Sequence, residues 1–498
     1  MTTFWFDAMT TPVLPFTLLE IDRRGKHPLH RQIYDGLRRA ILQGILRAGR
    51  RVPSTRSLAE DLRVSRLPVL VAYQQLQHEG YLEARTGAGH YVRAVIPDDV
   101  LRPRAVGGSS RQPRRGADLS APRHPPIRED DGRAPFRMSL PALDVFPRTT
   151  WSRIVAQHAR RLSPTHMGYG DPAGLPRLRT AIAEYLSVAR AVRADPSQII
   201  IVSGSQSALR ICATVLLRAG ERVAVEEPGY PGAHAALSAA GAELVPVVVD
   251  GNGLDVRALD GLGGGVRVAY VTPSHQYPLG ASMAAGRRLA LVEWAARRRA
   301  WVIEDDYDSE FRYVSRPLGA LQGMGDVAAE RVVYVGTFSK VLFPALRVGY
   351  LVVPAHLRAE FIAAREALDL FSPTLYQLAL ATFIHDGHLA RHVRRMRVVY
   401  RERRDAVLEG LAEHCDGLLT LHNADAGLHA ATLLSRGVDD AAVVSRMRAR
   451  GLEATALSTC YLTRRARSGL LLGFAGAAAT TLTAATRTLG EVLRSIGR

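Results

Sequence analysis

Six short apolar runs alternate with helix-like segments between residues 199 and 335, and this alternation restricts the fold more than any other feature. The runs are IIIV at 199–202, RVAV at 222–225, LVPVVV at 244–249, VRVAYV at 266–271, WVIE at 301–304 and RVVYV at 331–335. Such alternation is typical of a mostly parallel sheet covered by helices. We therefore predict an α/β domain with functional residues just beyond the carboxyl ends of its strands. From about residue 356, helical patterns mixed with LLTLH and GLLLGF predict a smaller α+β subdomain.

A different pattern precedes this domain. Residues 29–44 carry apolar side chains at helical spacing, a short helix is expected to begin near Ser54–Ser57, and residues 66–80 predict a longer helix. The run YLEARTGAGHYV alternates around a turn at Thr86–Gly89, which predicts a small hairpin. Helix, helix, turn, helix and hairpin in this order describe a winged helix-turn-helix.

The chain has 498 residues, which is enough for two or three domains. From about Pro97 to Pro135 it is rich in Pro, Gly, Ser and Arg without periodicity, and this composition is typical of a flexible linker. We predict a winged helix-turn-helix domain over residues 16–96, a linker over 97–136 and the α/β domain over 137–498.

Several classes of protein are disfavoured by what the sequence lacks. No run of about 18 apolar residues occurs, and the N-terminus has no basic start followed by an apolar stretch, so we expect a soluble cytoplasmic protein without membrane contact. The cysteines Cys212, Cys415 and Cys460 are far apart and form no CxxC pair. Neither a disulfide framework nor a metal site is expected.

Positive charge is concentrated near the N-terminus. The formal net charge is +18. The stretch from Arg23 to Arg66 contains twelve Lys or Arg residues and three Asp or Glu residues, which gives it a net charge of +9. Clustering of this kind predicts binding to the phosphate backbone of a nucleic acid.

Lysine is almost absent. Of 65 basic residues only Lys26 and Lys340 are lysines, so arginine serves wherever charge alone suffices. A primary amine forms an imine with an aldehyde and a guanidinium does not, so a retained lysine is a candidate for covalent chemistry.

The segment VPSTRSLAEDLRVSRLPVLVAYQQLQHEGYLEARTGAGHYV resembles the winged helix-turn-helix of the GntR family of bacterial repressors, over roughly residues 29–93. The resemblance implies DNA contacts by four residues: Arg56, Ser65, Arg66 and Gly87. Leu67 and Pro68 replace the polar pair that usually follows Ser-Arg in this family, so direct readout is expected to shift toward apolar contact with thymine methyls and toward Arg66.

Three segments of the α/β domain carry residues that suit one phosphorylated cofactor. IIIVSGSQSAL places a Gly-Ser turn between a strand and a helix, where amide groups could bind a phosphate. VIEDDYDSEF places carboxylates after a strand, where one could keep a ring nitrogen protonated. TFSKVLFPALRVGY places Lys340 after a strand, with Arg347 seven residues later to bind a phosphate.

Together these segments resemble fold-type I pyridoxal phosphate enzymes, the aspartate aminotransferase superfamily, over roughly residues 137–498. The resemblance implies that Lys340 forms the internal aldimine, that Asp305 pairs with the pyridinium nitrogen and that Tyr307 bonds the ring hydroxyl. Asp306 and Asp308 are nearby alternatives to Asp305. The remaining implied cofactor contacts are Ser205, Gln206, Thr337 and Arg347 for the phosphate, Tyr230 for ring stacking, and Tyr169 for the phosphate of a partner subunit in a homodimer.

Two points stay open at this stage. In SHQYPLG the usual Asn before Pro is replaced, and any of His275, Gln276 and Tyr277 could support the ring oxygen. Leu471 and Leu472 stand where aminotransferases usually carry an Arg for the substrate carboxylate. The neighbouring Arg464, Arg465 and Arg467 could take that role, but solvated surface charge is the preferred interpretation.

A GntR-type winged helix joined by a long linker to an aminotransferase-like domain is typical of the MocR subfamily of transcriptional regulators, which the whole chain resembles. The resemblance implies a homodimer that binds a double-stranded DNA operator, and a cofactor domain that senses pyridoxal 5'-phosphate or an amino compound. The loss of the carboxylate Arg favours pyridoxal phosphate as the effector. The alternative is an active aminotransferase that carries a DNA-binding module, whereas a sensor would show at most a slow half-reaction.

Overall fold

The computed structural model describes residues 19, 21–23, 25, 27–85, 87–94, 134–263, 265–314, 319–463 and 466–496. Contacts divide the chain into two units, one before and one after residue 115. The predicted linker over 97–136 lies outside the described residues except for its last three, and Lys26 also lies outside them. The domain boundaries given above therefore stay predictions.

The N-terminal unit contains the elements of a winged helix in the predicted order. They are α1 (Leu29–Leu42), α2 (Thr55–Asp61), α3 (Arg66–His78), β1 (Leu82–Arg85) and β2 (Gly89–Val92). The side chain of Ser54 caps α2 by accepting a hydrogen bond of 3.0 Å from the amide of Ser57. Apolar residues of all three helices and both strands, such as Ile33, Leu58 and Leu76, form one buried core.

The second unit is organised around an eight-stranded sheet. Its strands are β3 (Ile199–Val202), β4 (Arg222–Glu227), β5 (Glu243–Asp250), β6 (Gly253–Leu254), β7 (Val266–Val271), β8 (Trp301–Asp306), β9 (Val332–Thr337) and β10 (Gly349–Val352). Their order across the sheet is β3-β10-β9-β8-β7-β4-β5-β6. The run from β9 to β5 is parallel, while β10 pairs antiparallel with both of its neighbours and β6 with β5. The prediction of a mostly parallel sheet is confirmed.

Helices surround this sheet and a smaller one. The helices are α4 (Arg148–Ala159), α5 (Pro164–Met167), α6 (Pro176–Arg190), α7 (Ser205–Leu216), α8 (Pro231–Ala239), α9 (Val256–Gly261), α10 (Ala285–Arg298), α11 (Asp326–Arg331), α12 (Arg358–Asp369), α13 (Thr374–His385), α14 (His388–His414), α15 (Asp440–Ala449) and α16 (Ala479–Ile496). The smaller sheet is antiparallel, in the order β11-β12-β14-β13. Its strands are β11 (Leu419–Asn423), β12 (His429–Leu434), β13 (Thr455–Ala456) and β14 (Gly469–Gly473).

The central strands of the large sheet are buried on both faces, because separate apolar clusters pack against each side. Strands β3, β4, β7, β8 and β9 run in the same direction, so their carboxyl ends lie at one edge of the sheet. The loops at this edge are free to carry polar side chains. Within the described ranges, no helix is both long and apolar enough to cross a membrane.

Candidate functional site

Lys340 lies three residues beyond the end of β9, at the carboxyl edge of the large sheet. Its Nζ donates a hydrogen bond of 3.0 Å to the backbone carbonyl of Ser139. Burial lowers the pKa of Lys340 to about 8, although the nearby carboxylates of Asp308 and Asp305 act in the opposite direction. A larger fraction of this amine is consequently neutral and nucleophilic near pH 7 than for an exposed lysine.

Asp305 lies on the neighbouring strand β8 and presents an unsatisfied oxygen. Its Oδ2 accepts a hydrogen bond of 2.8 Å from the hydroxyl of Tyr270, while its buried Oδ1 has no hydrogen-bond partner among the described residues. Burial raises the pKa of Asp305 to about 7. A buried carboxylate oxygen without a partner is costly, so this atom suits a cationic donor supplied by a bound molecule.

The two alternative carboxylates are already engaged. Asp306 forms a buried ion pair of 2.7 Å with Arg190 and accepts a second hydrogen bond of 2.7 Å from the hydroxyl of Tyr334. Asp308 lies 2.9 Å from Nδ1 of His275. In the described part of the chain no ion pair involves Asp305, although one oxygen of Asp306 also lacks a hydrogen bond. The geometry therefore favours Asp305 over both alternatives as the partner of a ring nitrogen.

His275 connects Asp308 to Tyr307. Its Nδ1 lies 2.9 Å from Oδ1 of Asp308 and 3.0 Å from the hydroxyl of Tyr307. A carboxylate only accepts hydrogen bonds, so we assign a proton to Nδ1 of His275, which donates it to the carboxylate of Asp308. With that tautomer, Nδ1 has no lone pair for the Tyr307 hydroxyl, whose own proton is then available to another acceptor.

The other two residues of the SHQYPLG segment have different roles. The side-chain amide of Gln276 donates to the backbone carbonyls of Pro228, at 2.8 Å, and Tyr277, at 2.6 Å, and so braces the loops after β4 and β7. The ring of Tyr277 packs edge-on against Tyr230, with 5.4 Å between the ring centroids. Of the three residues that the sequence left open, His275 lies within hydrogen-bond distance of the Tyr307 hydroxyl, whereas Tyr277 contacts the Tyr307 ring edge-on with 6.1 Å between centroids.

The start of α7 and Arg347 form a site suited to an anion. Gly204 precedes the helix with φ +92°, and a Cβ at this position would lie only 3.1 Å from the Arg347 guanidinium. Nη2 of Arg347 donates a hydrogen bond of 2.5 Å to the carbonyl of Ser203. A helix N-terminus and a guanidinium at the same place both favour a bound phosphate.

The other predicted phosphate contacts lie in the first turn of α7 and at the end of β9. Ser205 is the first residue of α7, and the side-chain amide of Gln206 donates a hydrogen bond of 3.2 Å to the hydroxyl of Tyr230. Thr337 ends β9, and its hydroxyl accepts a hydrogen bond of 3.1 Å from the amide of Ser339.

Tyr169 is the one predicted cofactor residue that stands apart. It lies after α5, is 88% exposed, and contacts Phe371 edge-on at a centroid distance of 6.2 Å. A single chain gives this side chain no role in the site around Lys340.

The small sheet contributes a residue that sequence reasoning missed. His429, on β12, lies 5.3 Å from His275 between ring centroids and within 3.0 Å of the Pro278 carbonyl. Burial lowers the pKa of His429 to about 4, so it is neutral at physiological pH. No local motif marked this histidine, because its neighbours in the site come from distant parts of the sequence.

The expected carboxylate-binding position is apolar. Leu471 and Leu472 lie on β14 and are fully buried, and Leu471 packs in a cluster with Cys460 and Tyr277. Arg467 is exposed, as the sequence predicted, while Arg464 and Arg465 lie outside the described residues.

The predicted DNA contacts lie near the N-termini of α2 and α3 and at the tip of the hairpin. Arg56 is exposed and lies 3.4 Å from Glu60 one turn later on α2. Ser65 precedes α3 without making a side-chain cap, and Nε of Arg66 donates a hydrogen bond of 3.1 Å to the hydroxyl of Thr55. Gly87 follows β1 with φ +76°, a conformation that favours glycine at the hairpin tip.

The described residues contain no group of three or more His, Cys, Asp or Glu side chains that could hold a metal ion. The three cysteines are buried and free.

Comparison with known proteins assigns both units. Residues 29–92 match the gntR family of bacterial regulatory proteins, and residues 146–471 match aminotransferase class I and II. The chain is 40% identical over 461 residues to the probable rhizopine catabolism regulatory protein MocR of Rhizobium meliloti, with 92% of each chain covered. The chain belongs to the MocR subfamily of GntR-type transcriptional regulators.

A second regulator and a solved aminotransferase structure are also similar to this MocR-type chain. It is 36% identical over 447 residues to the pyridoxine biosynthesis transcriptional regulator PdxR of Corynebacterium glutamicum, which covers 89% of this chain and 91% of that protein. It is also similar in structure to LysN, an α-aminoadipate aminotransferase of Thermus thermophilus solved with N-(5'-phosphopyridoxyl)-L-leucine. That match has a TM-score of 0.68 and 26% identity, and it covers 74% of this chain and 93% of the enzyme.

Proposed function

We propose that this MocR-type regulator binds pyridoxal 5'-phosphate at Lys340 and that the state of this site controls binding of a double-stranded DNA operator. The proposal is supported by three features at the carboxyl edge of the large sheet: Lys340, whose pKa is lowered to about 8, the unsatisfied Oδ1 of Asp305, and the anion site at Arg347. These three features match the aldehyde, the ring nitrogen and the phosphate of that cofactor.

The residues of the site have separable roles toward the cofactor. When bound, pyridoxal phosphate supplies an aldehyde carbon that an amine can attack reversibly. Lys340 provides the amine, Asp305 holds a proton on the ring nitrogen, and the Tyr307 hydroxyl donates a hydrogen bond to the ring oxygen. The remaining contacts bind the cofactor without chemistry: Tyr230 stacks on the ring, and Ser205, Gln206, Thr337 and Arg347 hold the phosphate.

The apolar surroundings of β14 bear on the choice of effector. Leu471 and Leu472 offer no charge to a substrate carboxylate, which favours pyridoxal phosphate itself over an amino acid as the sensed molecule. An amino compound without a carboxylate would also be compatible with these side chains.

We further propose that the signal leaves the site through the segment around Ser139. Its carbonyl accepts the Lys340 hydrogen bond, and this segment directly follows the predicted linker. A cofactor held at Lys340 would engage this amine, so the occupied and the unoccupied site would differ in how they hold this segment. A ligand changes the affinity for DNA only through such a difference between states.

The proposed regulator is a cytoplasmic homodimer. The exposed ring of Tyr169 is available to reach the phosphate of a partner subunit, which would complete the site across the dimer. We propose Arg56, Ser65, Arg66 and Gly87 as the DNA contacts of each winged helix.

The alternative is a working aminotransferase that carries a DNA-binding module, and solved structures to which the chain is similar include aminotransferases. Multiple-turnover transfer from an amino donor to a keto acid would support the alternative. A single slow half-reaction, or none, is expected for a sensor.

The experiment that tests the proposed function is DNase footprinting of the full chain on the intergenic DNA that flanks its gene. Footprints are compared without cofactor, with pyridoxal phosphate, and with pyridoxal phosphate plus amino compounds. A footprint whose affinity changes at least severalfold with the cofactor supports the proposal, and the Lys340→Ala variant should lose this response. Equal affinity under all conditions would contradict it.

A further inference from the structure

Helix α3 is apolar on two faces. One face carries Val69, Ala72, Tyr73 and Leu76, which are buried in the core of the N-terminal unit. On the other face Leu67 is 67% exposed, and Leu70 and Val71 are each 36% exposed. Spacings of three and four residues place Leu67 beside Leu70 and Val71 on the helix surface, where they form one apolar patch, here called the α3 patch.

The α3 patch begins in the first turn of the helix and is flanked by basic groups. Arg66 and Arg63 are exposed beside it, and Arg56 is exposed on α2. The stretch that leads into the helix, from Arg23 to Arg66, carries a net charge of +9. An apolar patch in a strongly positive setting fits a polyanion that also presents apolar groups.

Double-stranded DNA meets this description in its major groove. The thymine C5 methyl is the apolar group on the base edges there, and side chains without donors or acceptors discriminate base pairs by contact with it. Leu67, Leu70 and Val71 offer no hydrogen bond to a base. Any sequence information that they read must therefore come from methyl contacts.

We propose that the α3 patch determines operator specificity by contact with thymine methyls, with Leu67 as the principal contact because it is the most exposed and lies in the leading turn. This inference rests on the proposed DNA-binding function and adds the base-pair class that the helix reads. Arg66, beside the patch, supplies the polar part of the recognition.

The test uses duplexes enriched by the full chain from a randomised pool at fixed salt. In the best duplex each dT is replaced in turn by dU, which removes one methyl and leaves base pairing intact. Burial of one methyl corresponds to roughly fourfold in affinity, so we expect one or more positions at which dU weakens binding by about that factor. The effect is read with unaltered protein, so it does not depend on the folding of a variant.

A variant then assigns the contact to its side chain. Leu67→Ala should bind the dT and dU duplexes equally at the sensitive position. Val188→Ala, which alters another exposed apolar residue on α6, should keep the full discrimination.

Two results would overturn this inference alone, and a third would overturn the proposed DNA binding with it. If an enriched duplex binds equally well with dU at every position, DNA binding stands and methyl reading is wrong. If Leu67→Ala keeps the discrimination but alters the oligomeric state, the α3 patch is a protein contact instead. If no duplex is enriched, both this inference and the proposed DNA binding fail.

Discussion

Nζ of Lys340 donates a hydrogen bond of 3.0 Å to the carbonyl of Ser139, a residue that lies far away in sequence and close to the predicted linker. Ser139 and Phe136 both have φ +66°, a left-handed conformation that costs roughly 1–2 kcal/mol for a residue with a Cβ. The Phe136 carbonyl accepts a 2.9 Å hydrogen bond from the amide of Gly473 on β14. The segment at residues 134–140 therefore joins the reactive amine to the small sheet.

Attachment of the cofactor should depend on pH through Lys340. Only the neutral amine attacks an aldehyde, and burial lowers the pKa of this amine to about 8. We expect the rate of incorporation into apoprotein to rise about tenfold per pH unit below pH 8 and to level off above it. Stopped-flow absorbance after mixing with pyridoxal phosphate measures this rate. A rate that still rises about tenfold between pH 8 and pH 9 would show that the amine is not buried as described.

Substitution of Asp305 and Asp306 should separate cofactor binding from stability. Burial raises the pKa of Asp305 to about 7, so the folded state holds this proton more tightly than the unfolded chain does. The resulting stabilisation of the folded state is present at low pH and is lost as the pH rises toward 7. At pH 8 Asp305→Asn should therefore unfold at no lower denaturant concentration than wild type, yet bind pyridoxal phosphate at least tenfold more weakly. Asp306→Asn removes the negative charge that pairs with the buried Arg190 guanidinium and should lower the free energy of unfolding by roughly 3 kcal/mol, although Ser274 still accepts a hydrogen bond from Arg190. Reversed phenotypes would assign the ring nitrogen to Asp306.

Arg347 should account for much of the affinity for the phosphate group. Loss of a charged hydrogen-bond donor costs about 1.5–3 kcal/mol, so Arg347→Ala is expected to weaken binding of pyridoxal phosphate by roughly 10- to 150-fold. Binding of pyridoxal, which has no phosphate, should change little. Arg358→Ala is the matched control, since this exposed arginine bonds the carbonyl of Ser197 away from the site. Equal losses for both ligands would argue against a phosphate contact.

The contact between Asp308 and His275 should tune the bound cofactor through Tyr307. Asp308→Ala removes the acceptor that fixes the Nδ1 proton, so the Tyr307 hydroxyl can turn to donate to His275. A donor to the ring oxygen stabilises its ionised form, and its loss should raise the pKa of the bound chromophore by about 1–2 units. Visible spectra of the reconstituted variant as a function of pH measure this shift. Tyr307→Phe should give the same shift, and an unchanged spectrum in Asp308→Ala would exclude the relay.

Most of the fold followed from periodicity. All six apolar runs are strands, because short buried runs between helices have few alternatives to a parallel sheet. Strand β10 was missed, since it inserts antiparallel between β3 and β9 and follows a loop without an intervening helix. The helix predicted over residues 66–80 is present as α3, and its Tyr73 and Leu76 are buried in the core of the winged helix.

The site was less predictable than the fold. The scarcity of lysine pointed to Lys340. The choice between the carboxylates of β8 stayed open, because consecutive side chains on a strand face opposite sides and the sequence does not say which side faces the cofactor. The structure turns Asp306 toward Arg190 and leaves an oxygen of Asp305 unsatisfied. His429 was missed because it reaches the site only through packing of the small sheet.

The central claim is that Lys340 is the covalent attachment point of pyridoxal phosphate, and the sequence itself supplies the control, because Lys26 is the only other lysine. The measurement is borohydride reduction of the protein mixed with an equal amount of pyridoxal phosphate, followed by mass mapping of the peptides. We predict a stoichiometric phosphopyridoxyl adduct on the peptide with Lys340, with Lys26 unmodified. Equal modification of both lysines, or no adduct on Lys340, would contradict the account.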